Sequence, residues 1–222
     1  MIGRAATPGD AVRVSVAICT YNGLPFVHEQ IDSILAQTVP VHEVVLGDDG
    51  SVDGTVDAVR AAVGGSGVDF RVLPGEHVGV VRNFERAIAA TTGDVVLLSD
   101  QDDVWHADRV EKTLAAFARR PDVDFLFADA RVVDAAGEPL GYDLWEALGM
   151  TADERRGLDS GRAFDVLLRR NLATGAASAL RRAAFDAAAP FPSEWVHDEW
   201  LAIVAAARGR CARLESTVID YR

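Results

Sequence analysis

Three aspartates lie close together at the end of an apolar run, in the stretch VVLLSDQDDVW. Asp100, Asp102 and Asp103 directly follow the run 95–98. Carboxylates at this spacing disfavour one another's ionisation, so a positive charge is expected among them. Hard divalent cations such as Mg²⁺ and Mn²⁺ prefer carboxylate oxygens and substrate phosphates as ligands. A metal that bridges this cluster to a diphosphate would supply that charge, but the spacing of one cluster alone is weak evidence for it.

Two further polar clusters follow apolar runs, at 20–23 (TYNG) and 48–51 (DDGS). Ligands of open α/β sheets bind beyond the carboxyl ends of the strands, where all three clusters are expected. Taken singly, each cluster is explained by turn and helix-cap chemistry, and for 48–51 this is the simpler interpretation. Capping accounts for only one aspartate of the cluster at 100–103. The convergence of the three clusters therefore predicts one ligand site.

Short apolar runs alternate with segments of helical spacing through the first half of the chain. We expect strands over 14–18, 41–47, 69–73, 95–98 and 123–128, and helices over 24–37, 79–90 and 107–118. A further helix, capped by Ser51 or Asp53, is expected to run through Val59. This alternation predicts an α/β fold with a mostly parallel, doubly wound sheet flanked by helices.

The second half has a less regular pattern. DAAGEPL predicts a hairpin turn, and 142–156 predicts a loop or short helix. Helices are expected over 164–170 and 196–207, with strands ending before Arg181 and over 213–220. We therefore expect one domain, with a nucleotide-binding part over about 12–130 and a smaller, mixed acceptor-side part over about 131–222.

The formal net charge of −12 argues against a nucleic-acid partner, because such proteins carry a basic footprint. A small phosphorylated ligand stays compatible with it, since a divalent metal reverses the sign of an acidic pocket. Seven arginines fall in one segment: Arg155, Arg156, Arg162, Arg169, Arg170, Arg181 and Arg182. We interpret them as solvated helix faces; the alternative is an edge that faces an anionic acceptor or a membrane surface.

Cys19 and Cys211 have no zinc-like spacing, and Cys19 lies in an apolar run, so a buried, reduced thiol is expected. This favours a reducing cytoplasm. The N-terminus MIGRAATPGDAVR lacks the apolar core of a signal peptide, and no run is long enough to span a bilayer. We expect a cytoplasmic protein, with peripheral contact at the inner face of the membrane as an open alternative.

Five motifs resemble those of the family 2 glycosyltransferases, including bacterial rhamnosyltransferase-like enzymes, in order and approximate spacing. They are VSVAICTYNG, VVLGDDGSVDGT, GVVRNFERAI, TGDVVLLSDQDDVW and HDEWLA. The resemblance covers 14–222 and implies the GT-A fold. It also implies an inverting, Mn²⁺- or Mg²⁺-dependent transfer from a UDP- or dTDP-linked sugar to an acceptor hydroxyl. The acceptor would be a saccharide or lipid-linked saccharide in cell-surface polysaccharide or glycoconjugate assembly.

The resemblance assigns donor-side residues. Thr20, Tyr21 and Asn22 would line the nucleoside pocket, and Asp49 would read the pyrimidine base. Arg82 would lie near the nucleotide, although an ordinary helix-face arginine explains it as well.

The run Asp100-Gln101-Asp102 matches the family's Asp-x-Asp motif at the nucleotide. Asp102, assisted by Asp100, is the expected metal ligand, and Asp103 would bind the donor sugar or orient a ligand water. The metal would neutralise the departing diphosphate and orient the donor.

The segment WVHDEW supplies candidates for the base that takes the acceptor proton: His197, Asp198 and Glu199. The resemblance assigns Asp198 to this role, and a helix cap is the alternative. Thr174 and Gly175 resemble the loop that shapes the acceptor side, where the glycine also suits an ordinary turn. Trp145, Trp195 and Trp200 would stack on sugars or pack in the core.

Relatives usually continue beyond the Tyr-Arg pair at 221–222 with a histidine that joins the metal site. We therefore expect either that the sequence is cut short after Arg222 or that this ligand comes from elsewhere, and metal affinity and full activity depend on which alternative holds. One alternative is a sugar nucleotidylyltransferase, but CTYNGLPF is not the glycine-rich basic loop that such an enzyme needs. The other alternative is a non-catalytic nucleotide-sugar-binding module.

Overall fold

The structure, a computed structural model, describes residues 12–222. The expected absence of a signal peptide rests largely on residues 1–11, which lie outside the described residues. Within 12–222, nine strands form one sheet in the order β3-β2-β1-β4-β8-β6-β9-β5, with β7 paired to β6. The strands are β1 (Val14–Thr20), β2 (Glu43–Asp48), β3 (Asp69–Pro74), β4 (Val95–Ser99), β5 (Val104–Trp105), β6 (Phe125–Val133), β7 (Pro139–Asp143), β8 (Ser178–Arg181) and β9 (Cys211–Tyr221).

Helices cover both faces of this sheet. They are α1 (Leu24–Leu35), α2 (Thr55–Val63), α3 (Val80–Ala90), α4 (Arg109–Arg119), α5 (Leu144–Ala147), α6 (Ala152–Asp159), α7 (Ala163–Leu167), α8 (Arg182–Ala188) and α9 (His197–Ala207). A single 3-10 turn, Gly175–Ala177, precedes β8. The expected elements of the first half end within a few residues of these bounds, whereas the expected loop or helix at 142–156 is resolved into α5 and the start of α6.

The first four strands are parallel. β1 pairs with β2 and β4, and β2 pairs with β3. Every residue of β1 is buried, because helices cover both of its faces. The carboxyl ends of β1, β2 and β4 therefore meet at one edge of the sheet, and the predicted α/β fold is confirmed.

The other strands make the sheet mixed. β8 lies antiparallel between β4 and β6, although it follows both along the chain. β6 then pairs in parallel with β9, and the two-residue β5 pairs antiparallel with β9. The ladder between β4 and β8 ends at the pair Leu97–Ala179, short of the end of β4. This position, beside the carboxyl end of β4, borders the candidate site.

Two apolar layers hold the fold, one on each side of the sheet. Phe84 and Leu201 belong to the layer under α3 and α9, and Ile31 and Val110 to the layer under α1 and α4. Trp145 is only 1% exposed within the first layer, and its indole N–H donates to the carbonyl of Leu172. Trp145 therefore packs in the core, which is one of the two alternatives predicted for it.

Several arginines of the segment 155–182 serve the fold. Arg181 donates to the carbonyls of Val123 and Phe117, and Arg182 donates to the carbonyls of Ile88 and Thr91. These two side chains are therefore not solvated helix-face charges. Among residues 12–222, no helix combines the length and the apolarity that crossing a bilayer requires.

Candidate active site

A cleft of about 430 Å³ opens at the carboxyl ends of β1, β2 and β4. Six of the predicted site residues line it: Thr20, Tyr21, Asp49, Asp100, Gln101 and Asp102. A larger groove of about 610 Å³ between α4 and β9 contains none of the predicted residues and carries charges of both signs. The smaller cleft is therefore the candidate site, because only there do the polar strand ends converge.

Asp49 holds the loop that precedes α3. Its Oδ1 accepts a 2.7 Å hydrogen bond from the N–H of Val78, and its Oδ2 accepts one of 2.9 Å from Gly79. A base contact at Asp49 would have to share these oxygens, each of which keeps a second lone pair. The neighbouring Asp48 accepts from the N–H groups of Gly50 and Ser51, which matches its interpretation as turn chemistry.

Tyr21 presents an aromatic surface at the mouth of the cleft. Its side chain is half-exposed, and its ring lies edge-on to that of His77 with 5.3 Å between the centroids. Asn22 does not line the cleft: its Oδ1 accepts from the N–H of Val52 and ties two loops together. Of the two, only Tyr21 is placed to meet a nucleoside.

Arg82 lies outside the cleft, contrary to the expectation of a nucleotide contact. It is exposed on α3 and forms an ion pair with Glu85, because the inward face of the helix is taken by Asn83 and Phe84. The arginine that reaches the strand ends is Arg86, which donates to the carbonyls of Asp48 and Pro74. One helical turn separates the two arginines, so the sequence pattern alone did not distinguish them.

The acidic loop, residues 100–103, carries two carboxylates towards the cleft. Burial, together with the charges of Asp102 and Asp198, raises the pKa of Asp100 to about 7 against the opposing effect of Arg109. Burial also raises the pKa of Asp102. The amide oxygen of Gln101 accepts a 2.9 Å hydrogen bond from the N–H of Tyr21, so the loop is tied to the end of β1.

Asp103 is the most buried carboxylate of this loop and is only 1% exposed. Its Oδ2 has no hydrogen-bond partner, and burial, with the charges of Asp100 and Asp102, raises its pKa to about 8. Because the side chain is buried, this geometry does not favour direct contact of Asp103 with the donor sugar, and the expectation that it binds the sugar or orients a ligand water stays a prediction.

Two arginines that the sequence analysis missed supply positive charge beside the acidic loop. Arg109 is 1% exposed, with its guanidinium 3.8 Å from the centroid of the Trp105 ring. Burial lowers its pKa to about 9, so it stays charged at neutral pH. Arg222 donates a 2.7 Å hydrogen bond to the carbonyl of Asp102 and forms an ion pair with Glu29. The end of β9 thus closes one side of the cleft.

The donor atoms at the cleft suit a hard cation. Asp100 and Asp102 offer carboxylate oxygens there. In the described part of the chain, no three His, Cys, Asp or Glu side chains are arranged to hold a metal ion by themselves. These residues therefore fit a metal that takes the rest of its ligands from a phosphorylated substrate.

Asp198 lies in the first turn of α9 and is 8% exposed. Its Oδ2 accepts a 2.7 Å hydrogen bond from the N–H of Gly175, and its Oδ1 accepts from the side chain of Asn171 and the N–H of Glu199. Burial raises the pKa of Asp198, and these hydrogen bonds oppose the rise. The bond from Glu199 is a helix-end interaction, so a structural role of Asp198 at the start of α9 is part of this geometry. Asn171 was not anticipated.

His197 is buried beside Asp198 rather than exposed to an acceptor. Its ring stacks on Phe84 with 3.8 Å between centroids, and neither ring nitrogen has a hydrogen-bond partner. Burial lowers its pKa to about 3, so it is neutral at physiological pH. A Cβ on Gly175 would lie 2.7 Å from Nε2 of His197, so this close approach requires glycine.

The other predicted acceptor-side residues surround the start of α9. Thr174 precedes the 3-10 turn, and its carbonyl accepts from the hydroxyl of Ser178. Glu199 and Trp195 are half-buried. The rings of Trp195 and Trp200 lie 5.6 Å apart, and Trp200 donates to the carbonyl of Ala188. Trp195 therefore packs against the ring of Trp200, which this hydrogen bond holds in place.

The sequence profile described as glycosyl transferase family 2 matches residues 15–187. An uncharacterised glycosyltransferase of Nostoc sp. is 28% identical over 151 residues, which cover 64% of this chain and 47% of that protein. S. aureus TarS in complex with UDP is 21% identical, with a TM-score of 0.68, over 95% of this chain and 60% of that one. The mannosyltransferase PcManGT of Pyrobaculum calidifontis, in complex with GDP-Man and Mn²⁺, is 22% identical, with a TM-score of 0.70, over 97% of this chain and 58% of that one. The chain thus spans about half the length of the curated relatives it matches.

Proposed function

Because the chain belongs to glycosyl transferase family 2 and has the GT-A fold, we propose that it transfers a sugar from a nucleoside-diphosphate sugar to an acceptor hydroxyl with inversion. The proposed donor is UDP- or dTDP-linked. The proposed acceptor is a saccharide or lipid-linked saccharide of cell-surface polysaccharide or glycoconjugate assembly. Residues of about 12–130, completed by Tyr221 and Arg222 at the end of β9, would bind the donor, and the rest of the part over about 131–222 would bind the acceptor, within one domain.

One observation carries this proposal: the buried carboxylate of Asp198 lies close enough to the acidic loop for its charge to raise the pKa of Asp100. The base proposed for the acceptor and the site proposed for the leaving diphosphate would thereby lie at the same end of the sheet. The UDP and GDP-Man in the complexes of TarS and PcManGT support a nucleotide-sugar donor.

On the donor side, the half-exposed ring of Tyr21 would stack on the base, and Thr20 and Asp49 would line the nucleoside pocket. Asp100 and Asp102 would hold Mn²⁺ or Mg²⁺ at the diphosphate. When bound, the cation supplies positive charge that neutralises the leaving group. Without it, the acidic loop would repel a bare diphosphate.

On the acceptor side, Asp198 would act as the general base. The acceptor oxygen attacks the anomeric carbon from the face opposite the diphosphate, and its proton passes to a carboxylate oxygen of Asp198. The bond between the anomeric carbon and the diphosphate oxygen breaks, and its electron pair leaves on the diphosphate. Asp198 suits this task because three hydrogen bonds orient it and burial raises its pKa towards the working range.

The test is a panel of UDP-, dTDP- and GDP-sugars, examined by calorimetry with Mn²⁺ and with chelator, and by assays of donor hydrolysis and transfer. We expect one pyrimidine donor to bind, with Mn²⁺ strengthening its binding, and to release its nucleoside diphosphate. NMR of the product should show an inverted anomeric centre. Failure of every donor to bind would refute the proposal. Binding without hydrolysis or transfer would instead favour a nucleotide-sugar-binding module.

A further inference from the structure

Arg109 occupies the place where β4 and β8 separate. Their ladder ends at Leu97 and Ala179. One residue closer to the cleft, the carbonyls of Leu98 and Ser178 both accept hydrogen bonds from Nη2 of Arg109, at 3.1 and 3.3 Å. A guanidinium from α4 therefore bridges the two strands where their own hydrogen bonding has ended.

The two bridged residues lead to opposite sides of the candidate site. Leu98 is followed by Ser99 and then by the acidic loop, which would face the donor. Ser178 follows the 3-10 turn whose Gly175 N–H holds Asp198. One side chain thus connects the backbone segments that carry the two halves of the proposed reaction.

The guanidinium itself is firmly held. It is 1% exposed, stacks on the buried ring of Trp105, and lies within the electrostatic reach of Asp103 and Asp100. The planar guanidinium stacks on a ring and donates from several N–H groups at once, which the ammonium group of lysine cannot do. Burying a charge is costly, and Nη1 has no hydrogen-bond partner. An apolar side chain would avoid that cost but would leave the carbonyls of Leu98 and Ser178 without this donor, so what the arginine adds here is the bridge between the two strands.

We propose that Arg109 is a positioning residue that sets the separation between the acidic loop and Asp198. It acts through the backbone of Leu98 and Ser178 and not on the reacting atoms. This inference rests on the proposed function, since the separation matters only where a donor on one side meets an acceptor on the other.

The consequence is a difference between transfer and hydrolysis of the donor. Transfer requires one acceptor oxygen to be held between the donor carbon and Asp198, whereas water approaches from many positions. A misplacement of about 1 Å can cost about 10²-fold in rate. Loss of the bridge should therefore lower transfer more than hydrolysis. The ratio of the two rates is independent of how much of the protein is folded.

The experiment compares Arg109→Met and Arg109→Lys with Arg181→Met. Arg181 is a matched control at the other end of β8: it also donates to two backbone carbonyls and also lies over an aromatic ring, that of Phe117. We would measure melting temperature, donor affinity by calorimetry, and the ratio of transfer to hydrolysis at saturating donor.

We expect both Arg109 variants to lower the ratio by about 10- to 100-fold with donor affinity nearly unchanged. Arg181→Met should lower the melting temperature and leave the ratio unchanged. An unchanged ratio in Arg109→Met would overturn the proposal, because it indicates a purely structural role. A wild-type ratio in Arg109→Lys would also overturn it, because it indicates a requirement for charge alone.

If neither Arg109 variant folds, Trp105 provides the same test. Trp105→Leu removes the ring under the guanidinium and should lower the ratio of transfer to hydrolysis, whereas Trp105→Phe keeps a ring and should preserve that ratio. Equal ratios in the two variants would overturn the proposal.

If the wild type binds no donor, the proposed function fails, and hydrogen exchange then tests the bridge itself. Loss of Arg109 should speed amide hydrogen exchange both in 98–103 and at Gly175. Faster exchange confined to α4 would refute the proposed bridge.

Discussion

The backbone N–H of Gly175 donates a 2.7 Å hydrogen bond to Oδ2 of Asp198. This bond joins the turn before β8 to the first turn of α9 and, with Asn171 and the N–H of Glu199, gives the carboxylate one orientation. A general base needs such an orientation because it must meet one proton of one substrate.

Asp198→Asn should remove most of the transfer activity, by about 10²–10⁴-fold, and leave donor affinity nearly intact. The amide cannot accept the proton, although its oxygen can still accept from a helix N–H. Steady-state kinetics and donor calorimetry check this, with Glu199→Gln as the control that should retain more activity. Transfer near the wild-type rate in Asp198→Asn would show that the residue only caps its helix.

Gly175→Ala should both destabilise the protein and impair transfer. The new Cβ would lie 2.7 Å from Nε2 of His197 and 3.3 Å from Cβ of Asp198. Because His197 is the tighter neighbour, the double variant Gly175→Ala/His197→Ala should be less destabilised than the sum of the single changes. A double-mutant cycle in urea measures this coupling. Simple additivity would mean that the predicted clash does not form.

His197→Phe should keep or raise the melting temperature at neutral pH, because the new aromatic ring still stacks on Phe84 and removes two buried nitrogens that have no hydrogen-bond partners.

The imidazole of His197 also makes the unfolding free energy depend on pH. Burial lowers its folded pKa to about 3, below the ordinary value of 6.5, so protonation favours the unfolded chain. The contribution of His197 to the unfolding free energy therefore decreases as the pH falls from about 6.5 towards 3. Chemical denaturation across that range should give a flatter profile in the variant, and parallel profiles would contradict the assignment.

Asp102→Asn should remove most of the gain in nucleotide affinity that Mn²⁺ provides. It deletes a carboxylate charge at the cleft while keeping the size of the side chain. Asp108→Asn makes the same charge change outside the cleft, beside Lys112, and should leave the effect of Mn²⁺ unchanged. Calorimetry of UDP and dTDP with Mn²⁺ and with chelator compares the two variants. Equal loss in both would indicate a general charge effect.

Arg82→Met should leave nucleotide affinity unchanged, because its side chain is exposed and paired with Glu85. Arg86→Met should instead lower the melting temperature, since it removes the donor to the carbonyls of Asp48 and Pro74. A large loss of affinity in Arg82→Met alone would restore the original expectation for this residue.

The sequence predicted the parallel half of the fold well because the apolar runs of β1, β2 and β4 are contiguous and a polar cluster directly follows each of them. It could not predict β5, whose two residues carry no periodicity. Nor could it predict the separation of β4 from β8, which depends on a side chain from α4.

The same limit applies to the site. Thr20, Tyr21 and Asp49 were predicted to meet Asp100 and Asp102, and they do, because strand ends converge in a parallel sheet. The missed arginines, Arg109 and Arg222, reach the acidic loop from α4 and from the end of β9. Arg222 bonds Asp102 across 120 residues of chain, and no local pattern encodes such a contact.

The position of β8 between β4 and β6 also constrains how the protein folds. β4 pairs with β1, and β6 pairs with β9, but these two groups of strands are not joined until β8 inserts between β4 and β6. Joining the two halves therefore requires contacts between distant parts of the chain, which slows folding relative to a sheet built in sequence order. Until that step, the apolar β4 presents an unpaired edge to neighbouring chains, so aggregation during refolding is expected to begin there.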